Sequence, residues 1–322
     1  MSLIEQAAKR LAELKRAGVD APSQDPPASA HRAAQPADAR VPTPEAIVRE
    51  ARLAQGSLLR VPTVPSDAAS DAAVAAGAAA PALEPRNGVE FDYARLDRLG
   101  LVTPDHLDSQ IAHELRVLKR PILRNAAQQA GKSNVNAMRV MVTSALPGEG
   151  KTFTAANLAL SMAMEVDNAV LLVDGDVAHP ALLQLLGVPQ SPGLLDLLGD
   201  ADYELEDVVL RTNLDRLMLL PAGSRNLRAT ELIASDRMTQ LLDTLTARLP
   251  GHIIVFDSPP LLPTAESRVL ATHAGQVVMV VAAESTSRAA VEQALATIER
   301  CECVMMLLNK AVSSGGASYY GY

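Results

Sequence analysis

Residues 138–160 read Met138-Arg-Val-Met-Val-Thr-Ser-Ala-Leu-Pro-Gly-Glu-Gly-Lys151-Thr-Phe-Thr-Ala-Ala-Asn-Leu-Ala-Leu160. An apolar, β-branched run comes first, a glycine-bearing turn with Lys-Thr follows, and a run of good helix formers closes the segment. Strand, glycine turn, Lys-Thr and helix in this order are typical of a phosphate-binding P-loop. Ala145 stands where the first glycine of that pattern usually lies.

The residue types of this turn suit the binding of phosphate groups. Gly148 and Gly150 allow backbone N–H groups to approach and wrap an anion, and the following helix points its positive end at it. Lys151 is predicted to reach the β- and γ-phosphates, and the Thr152 hydroxyl to ligate Mg²⁺. The residues predicted to contact the nucleotide are Pro147, Gly148, Glu149, Gly150, Lys151, Thr152, Phe153 and Asn309.

Two further apolar runs each end in acidic side chains. Residues 169–173 lead into Asp174 and Asp176, and residues 252–256 lead into Asp257. Unbroken apolar runs are typical of parallel strands that are covered on both faces, and ligands bind at the carboxyl ends of such strands. We therefore predict that these carboxylates lie beside the P-loop, where Asp257 would help to hold Mg²⁺.

The remaining pattern alternates strands and helices. We predict strands at 217–221, 276–281 and 304–308, and helices at 105–127 (interrupted by Pro121), 229–249 and 287–300. This alternation predicts an α/β fold with a doubly wound, mostly parallel sheet. Asn309 follows the last strand and is a candidate contact for the base of a nucleotide.

The rest of the chain divides into three segments. Residues 1–18 read as one amphipathic helix, for which a partner protein, the protein's own core and a membrane surface all remain possible. Residues 19–88 are rich in Ala and Pro and are predicted to be a disordered linker, followed by a P-loop domain at 89–312. A flexible tail at 313–322 holds three of the five tyrosines, Tyr319, Tyr320 and Tyr322.

Charge and hydropathy restrict the class of protein. The formal net charge is −8, which disfavours nucleic acid as the main partner. No apolar run is long enough for a membrane span, and the N-terminal residues lack a signal-peptide layout, so we expect a cytoplasmic protein. Cys301 and Cys303 have no clustered metal-ligating residues nearby in sequence and are expected to be free thiols.

Taken together, the segments 145–152, 171–176 and 253–260 and the terminal tyrosines resemble the bacterial tyrosine kinases of polysaccharide export. Their fold is related to the deviant Walker ATPases of the ParA/MinD type. The resemblance is strongest to the exosortase-associated tyrosine autokinases of exopolysaccharide synthesis, through the Met-Ser-Leu-Ile-Glu start, Leu118-Lys-Arg-Pro121 and Asp257-Ser-Pro-Pro-Leu-Leu-Pro263. It covers residues 90–322 and the first helix.

The resemblance implies a function for most of these positions. ATP and Mg²⁺ would be the cofactors, with Lys151, Asp174, Asp176 and Asp257 as catalytic residues and Thr152, Asp174 and Asp257 as metal ligands. Tyr319, Tyr320 and Tyr322 would be autophosphorylated in trans within a homo-oligomer. A membrane-embedded polysaccharide chain-length determinant protein would activate the kinase at the inner membrane, and a tyrosine phosphatase would reverse the reaction. Either Asp174 or Asp176 would accept the tyrosine proton.

Two other functions fit parts of the sequence. A switch ATPase of the ParA/MinD type would share the P-loop, but those families carry a signature lysine at the position that Leu146 occupies here, and they give no reason for a tyrosine-rich tail. A nucleotide-binding regulatory subunit of an export complex, without phosphoryl transfer, is the second alternative. The complete set of Lys151, Thr152, Asp174 and Asp257 argues against it.

Overall fold

A single mixed sheet organises the part of the chain that the computed structural model describes, residues 80–130, 135–199 and 201–311. Its strand order is β1-β4-β5-β3-β6-β2-β7-β8. All neighbouring strands pair in parallel except β4 and β5, which are antiparallel. The strands are β1 (Asn87–Val89), β2 (Arg139–Ser144), β3 (Ala169–Asp174), β4 (Leu210–Thr212), β5 (Leu217–Leu220), β6 (His252–Asp257), β7 (Gln276–Ala282) and β8 (Val304–Asn309).

Helices connect the strands and cover both faces of the sheet. They are α1 (Tyr93–Arg98), α2 (Gln110–Ala130), α3 (Lys151–Ala163), α4 (Leu182–Leu186), α5 (Leu194–Leu198), α6 (Leu205–Val208), α7 (Ala229–Ile233), α8 (Asp236–Arg248), α9 (Glu266–His273) and α10 (Arg288–Ala296). Two short 3-10 turns, Pro104–His106 and Val135–Met138, complete the described elements.

The core has two layers because successive side chains of a strand point to opposite faces. In β2, Met141 joins one apolar cluster while Val140 and Val142 join the other. The second cluster includes α3, of which Leu158 and Leu160 are fully buried. Both faces of the central strands are thus covered by helices, which confirms the predicted doubly wound α/β class.

The element boundaries differ from the predictions where local features outweigh the hydrophobic pattern. Helix α2 begins at Gln110 rather than 105, and it continues through Pro121, whose ring removes only one intrahelical donor. The predicted helix 229–249 is two helices, separated where Ser235 takes an extended backbone. Strands β1 and β4 have only three residues each and were not predicted.

The ordered contacts begin earlier than the predicted linker boundary at residue 88. Leu83 is buried in the core, and its N–H donates to the backbone carbonyl of Arg248 at 3.0 Å. Strand β1 then pairs with β4. The segment 80–88 is therefore part of the folded domain. The predicted helix 1–18, residues 19–79 of the linker and the tail 313–322 lie outside the described residues.

Two smaller expectations concern the same described part. Cys301 and Cys303 are both free and half-buried, as expected. No helix described there is at once long and apolar enough to cross a membrane.

Candidate active site

The carboxyl ends of three adjacent strands bring the predicted site residues together. Strand β6 lies between β2 and β3 in the sheet, and Asp174 of β3 is the register partner of Asp257 of β6. The P-loop follows β2 directly. The sequence prediction that Asp174, Asp257 and the P-loop share one edge of the sheet agrees with this arrangement.

The P-loop depends on two glycines with left-handed backbone. Gly148 has φ 81° and Gly150 has φ 98°, a region that side chains disfavour. A Cβ at Gly150 would lie 2.1 Å from Nδ2 of Asn309, whereas a Cβ at Gly148 would meet nothing within 4 Å. Helix α3 begins at Lys151, so its N-terminus opens directly from this loop.

The Lys151 ammonium group is held by an acidic partner. Its Nζ lies 2.6 Å from Oδ2 of Asp176, and both side chains are largely buried. The other carboxylate oxygen of Asp176 accepts from the backbone N–H of His179 at 3.2 Å. Asp176 is therefore paired, and Lys151 would exchange this partner for phosphate oxygens when a nucleotide enters.

Asp174 and Asp257 have the opposite environment. All four of their carboxylate oxygens are inaccessible to solvent and meet no donor at full hydrogen-bond geometry. The Thr152 hydroxyl near Asp257, and the N–H groups of Asp176 and Leu182 near Asp174, lower the two pKa values only in part. Burial, followed by the nearby Asp257 and Asp176, raises the pKa of Asp174 to about 8. Burial also raises the pKa of Asp257, to about 7, although the nearby Lys151 opposes the shift. Two buried acids this close together favour the binding of a cation beside them.

This donor set fits Mg²⁺. Magnesium prefers oxygen ligands, and it is usually held by one or two carboxylates together with substrate phosphates and waters. The described residues contain no cluster of three or more His, Cys, Asp or Glu side chains that would hold a metal alone. Asp174 and Asp257 would supply the one or two carboxylates, and Thr152 at the first turn of α3 would supply the hydroxyl that the sequence predicts.

Two predicted nucleotide contacts have side chains that are engaged elsewhere. The Glu149 carboxylate is buried and accepts hydrogen bonds from the N–H groups of Leu146 (2.6 Å) and Ala282 (3.3 Å) and from the Thr286 hydroxyl. The Phe153 ring packs in the apolar cluster and faces Gly100. Only the backbone of these two residues remains available to a phosphate, because burial and packing direct their side chains away.

The end of β8 lies against the P-loop. Nδ2 of Asn309 donates to the Glu149 carbonyl at 2.8 Å, and Nζ of Lys310 donates to the Gly148 carbonyl at 2.7 Å. A contact between Asn309 and a base stays a prediction. Thr286 and Lys310 were not predicted as site residues. The only sequence signal for Lys310 is its place directly after the last strand.

Comparisons with known proteins place the chain in a family. The family model described as an AAA domain matches residues 139–312. The tyrosine-protein kinase YwqD of Bacillus subtilis is 32% identical over 186 residues, which cover 57% of this chain and 76% of that protein. The putative tyrosine-protein kinase EpsB of Ralstonia nicotianae is 34% identical over 177 residues, which cover 55% of this chain.

The chain belongs to the bacterial tyrosine-protein kinase family, within the AAA domain class. A solved structure, the kinase domain of the Escherichia coli tyrosine kinase ETK, agrees in fold. It has a TM-score of 0.54 and 25% identity, with 65% of this chain and 79% of that chain covered. The match to the Ralstonia relative covers only 23% of the length of that protein.

Proposed function

We propose that this chain is an ATP-dependent protein-tyrosine kinase that phosphorylates its own C-terminal tyrosines. The observation that carries the proposal is the pair of fully buried carboxyl groups of Asp174 and Asp257, which have no basic ion-pair partner of their own, at the carboxyl ends of adjacent strands beside the paired Lys151 and Asp176. A P-loop with that set of side chains suits phosphoryl transfer, which depends on positioning and charge stabilisation. Membership of the tyrosine kinase family supports it.

Each side chain has a defined task in this reaction. Lys151 leaves Asp176 and binds the β- and γ-phosphates, which offsets charge on the transferred group. Asp174, Asp257 and Thr152 would hold Mg²⁺, whose charge would further neutralise the phosphates. The tyrosine oxygen forms a bond to the γ-phosphorus, the bond from that phosphorus to the β,γ-bridging oxygen breaks, and ADP leaves with the electron pair.

The tyrosine proton needs an acceptor because the pKa of a free tyrosine is near 10. Asp174 and Asp176 are the candidates, and each becomes available by a different event. Asp176 loses its ion-pair partner when Lys151 turns to the phosphates, whereas Asp174 would serve only while its carboxylate is not engaged with Mg²⁺. We propose that one of these two carboxylates takes the proton.

The proposed substrates are Tyr319, Tyr320 and Tyr322, presented in trans to a neighbouring copy in a homo-oligomer. We further propose that the cycle regulates exopolysaccharide polymerisation and export at the cytoplasmic side of the inner membrane. A membrane-embedded chain-length determinant protein would activate the kinase, and a tyrosine phosphatase would reset it. The names of the relatives support a kinase role, and the resemblance at the sequence level supports the rest.

A mixing experiment tests transfer in trans. A Lys151→Met chain with an intact tail is incubated with Mg²⁺-ATP and a chain of normal Lys151 whose three tail tyrosines are Phe. We expect phosphotyrosine on the Lys151→Met chain alone. If the unmixed wild-type protein gains phosphate on its tail while the mixture gains none, the transfer occurs within one chain and the trans proposal is wrong.

A further inference from the structure

The outer side of the P-loop is held by donors from outside the loop. The hydroxyl of Ser144 donates to the Leu146 carbonyl at 2.7 Å, and Lys310 and Asn309 donate to the carbonyls of Gly148 and Glu149. A loop that binds phosphate must turn its N–H groups inward and its carbonyls outward. Each of these three outward carbonyls accepts a hydrogen bond, so the loop has its conformation before any nucleotide binds.

The Glu149 carboxylate connects this loop to the next strand of the sheet. One oxygen, Oε2, accepts from the Leu146 N–H at 2.6 Å and so closes the loop upon itself. The other oxygen, Oε1, accepts from the Ala282 N–H at the end of β7 and from the Thr286 hydroxyl. The side chain is only 3% exposed. Its three partners are all donors, and a carboxylate is the side chain that accepts on both oxygens.

We propose that Glu149 is a positioning residue for nucleotide binding, which braces the P-loop against β7 and the following loop through Thr286. The inference rests on the proposed function, because it assumes that this loop takes a nucleotide phosphate. The backbone of residues 282–286 supports the idea of a braced segment, since Glu284 there has φ 60°, a strained value for a residue with a side chain. The structure thus assigns Glu149 a role through its side chain that differs from direct contact with the ligand.

An electrostatic role and a positioning role of Glu149 predict opposite changes in ADP affinity for the neutral variant Glu149→Gln. A negative side chain beside bound phosphates is repulsive, so a purely electrostatic role predicts that the variant binds ADP more tightly. The positioning role predicts weaker binding. A glutamine has only one acceptor oxygen, so its NH₂ group must face either the Leu146 N–H or the Ala282 N–H, a donor against a donor.

The experiment measures the affinity of the full chain for a fluorescent ADP analogue in the presence of Mg²⁺, together with the ligand-free melting temperature. Glu149→Gln is expected to weaken the Kd about tenfold, and Thr286→Val by several-fold. Thr286→Ser, which keeps the hydroxyl, should recover most of the loss. Thr244→Val is the matched control, because it makes the same Thr-to-Val change at a hydroxyl that donates within α8, to the backbone carbonyl of Gln240, away from the P-loop.

Kinetics give a second readout. A positioning role in ATP binding predicts a raised KM for ATP with kcat nearly unchanged at saturation. A Glu149→Gln variant with unchanged or tighter Kd, even if its melting temperature falls, overturns the positioning role. If the wild-type protein binds the analogue and the variants bind it equally well, the proposed function stands and this inference is wrong. If the wild-type protein itself does not bind it, both are wrong.

Discussion

At the scale of single residues, the buried carboxyl groups of the site lower the stability of the ligand-free protein. Asp174 buries both carboxylate oxygens without a well-formed hydrogen bond or an ion pair, a state that costs free energy in the ligand-free protein. Asp257 beside it adds repulsion and also raises the pKa of Asp174. Such an arrangement is stable only because the surrounding sheet and helices fold around it, and a bound cation would relieve it.

The variant Asp174→Asn tests this conflict. It removes the ionisable group at nearly constant shape, so the folded protein no longer has to keep a buried carboxyl neutral, and we expect the ligand-free protein to gain roughly 1–3 kcal/mol of stability. For a domain of this size that corresponds to a melting temperature higher by several degrees. Tail phosphorylation by the same variant should be lost.

Asp207→Asn is the control for that measurement, because Asp207 is paired with Arg86 and its pKa is lowered rather than raised. It should leave the melting temperature unchanged or slightly lower. A lower melting temperature for Asp174→Asn would show that the buried Asp174 carboxyl does not destabilise the ligand-free protein.

His252, at the start of β6, gives a pH prediction of definite sign. Burial lowers its pKa below the ordinary value of 6.5. The unfolded chain therefore takes up the proton first, so the protein loses stability as the pH falls below about 6.5. A His252→Gln variant lacks this loss.

The test compares the melting temperatures of the wild type and His252→Gln between pH 7.5 and 5.5. We expect the wild type to decline more steeply. The pKa of His273 is also lowered by burial, but it is present in both proteins, so its effect cancels in the difference. Two parallel curves would show that His252 is not the cause.

At the scale of elements, the P-loop separates two kinds of glycine. Gly148→Ala introduces only backbone strain, which costs roughly 1–2 kcal/mol, because a Cβ there meets nothing within 4 Å. Gly150→Ala adds a collision with Asn309 at 2.1 Å to the same strain. We expect Gly150→Ala to lose nucleotide binding, and Gly148→Ala to keep a weakened form of it.

A double variant separates strain from collision. Asn309→Ala removes the side chain that the new methyl group would meet, so Gly150→Ala combined with Asn309→Ala should be more stable than Gly150→Ala alone. Thermal melting of the four proteins forms the cycle. If the two substitutions are additive in stability, then the contact between Gly150 and Asn309 does not constrain the loop.

The sequence was sufficient for features that have a local signal. Buried parallel strands appear as unbroken apolar runs, and their carboxyl ends carry Asp174, Asp176 and Asp257, so their convergence on Lys151 was predictable. The hydrogen bond between Glu149 and Thr286 was not predictable, because Thr286 lies 137 residues away and no local pattern marks a long-range hydrogen bond. For the same reason, Glu149 itself was predicted as a nucleotide contact from its place in the loop.

The short strands could not be predicted from the sequence for a related reason. Strands β1 and β4, of three residues each, form because neighbours in the sheet supply their hydrogen bonds. Their own residues show no alternation long enough to predict a strand. The continuous helix α2 is another case, since packing of Ile122 in the core outweighs the local effect of Pro121.

At the scale of the whole molecule, the proposed reaction changes the charge of the chain. Each phosphotyrosine adds roughly −1.5 to −2 charges at pH 7, on a chain whose net charge is already −8. Up to three such groups within four residues would repel one another and any acidic neighbour. We therefore expect phosphorylation to shift the protein from oligomer toward monomer.

Size measurements of the phosphorylated protein and of the triple Tyr→Phe variant, both with Mg²⁺ and nucleotide, check this shift. The Phe variant is expected to remain the larger species, and moderate salt should reduce the difference, because screening weakens the repulsion between exposed charges. Equal sizes at low salt would contradict the link between tail charge and assembly.

Intact mass shows whether this P-loop site phosphorylates tyrosine. The purified full chain is incubated with Mg²⁺-ATP beside a Lys151→Met control. We expect the protein to gain whole phosphoryl groups that map to Tyr319, Tyr320 or Tyr322 and are absent from the control. Consumption of ATP without any gain in mass would contradict it and would favour a switch ATPase.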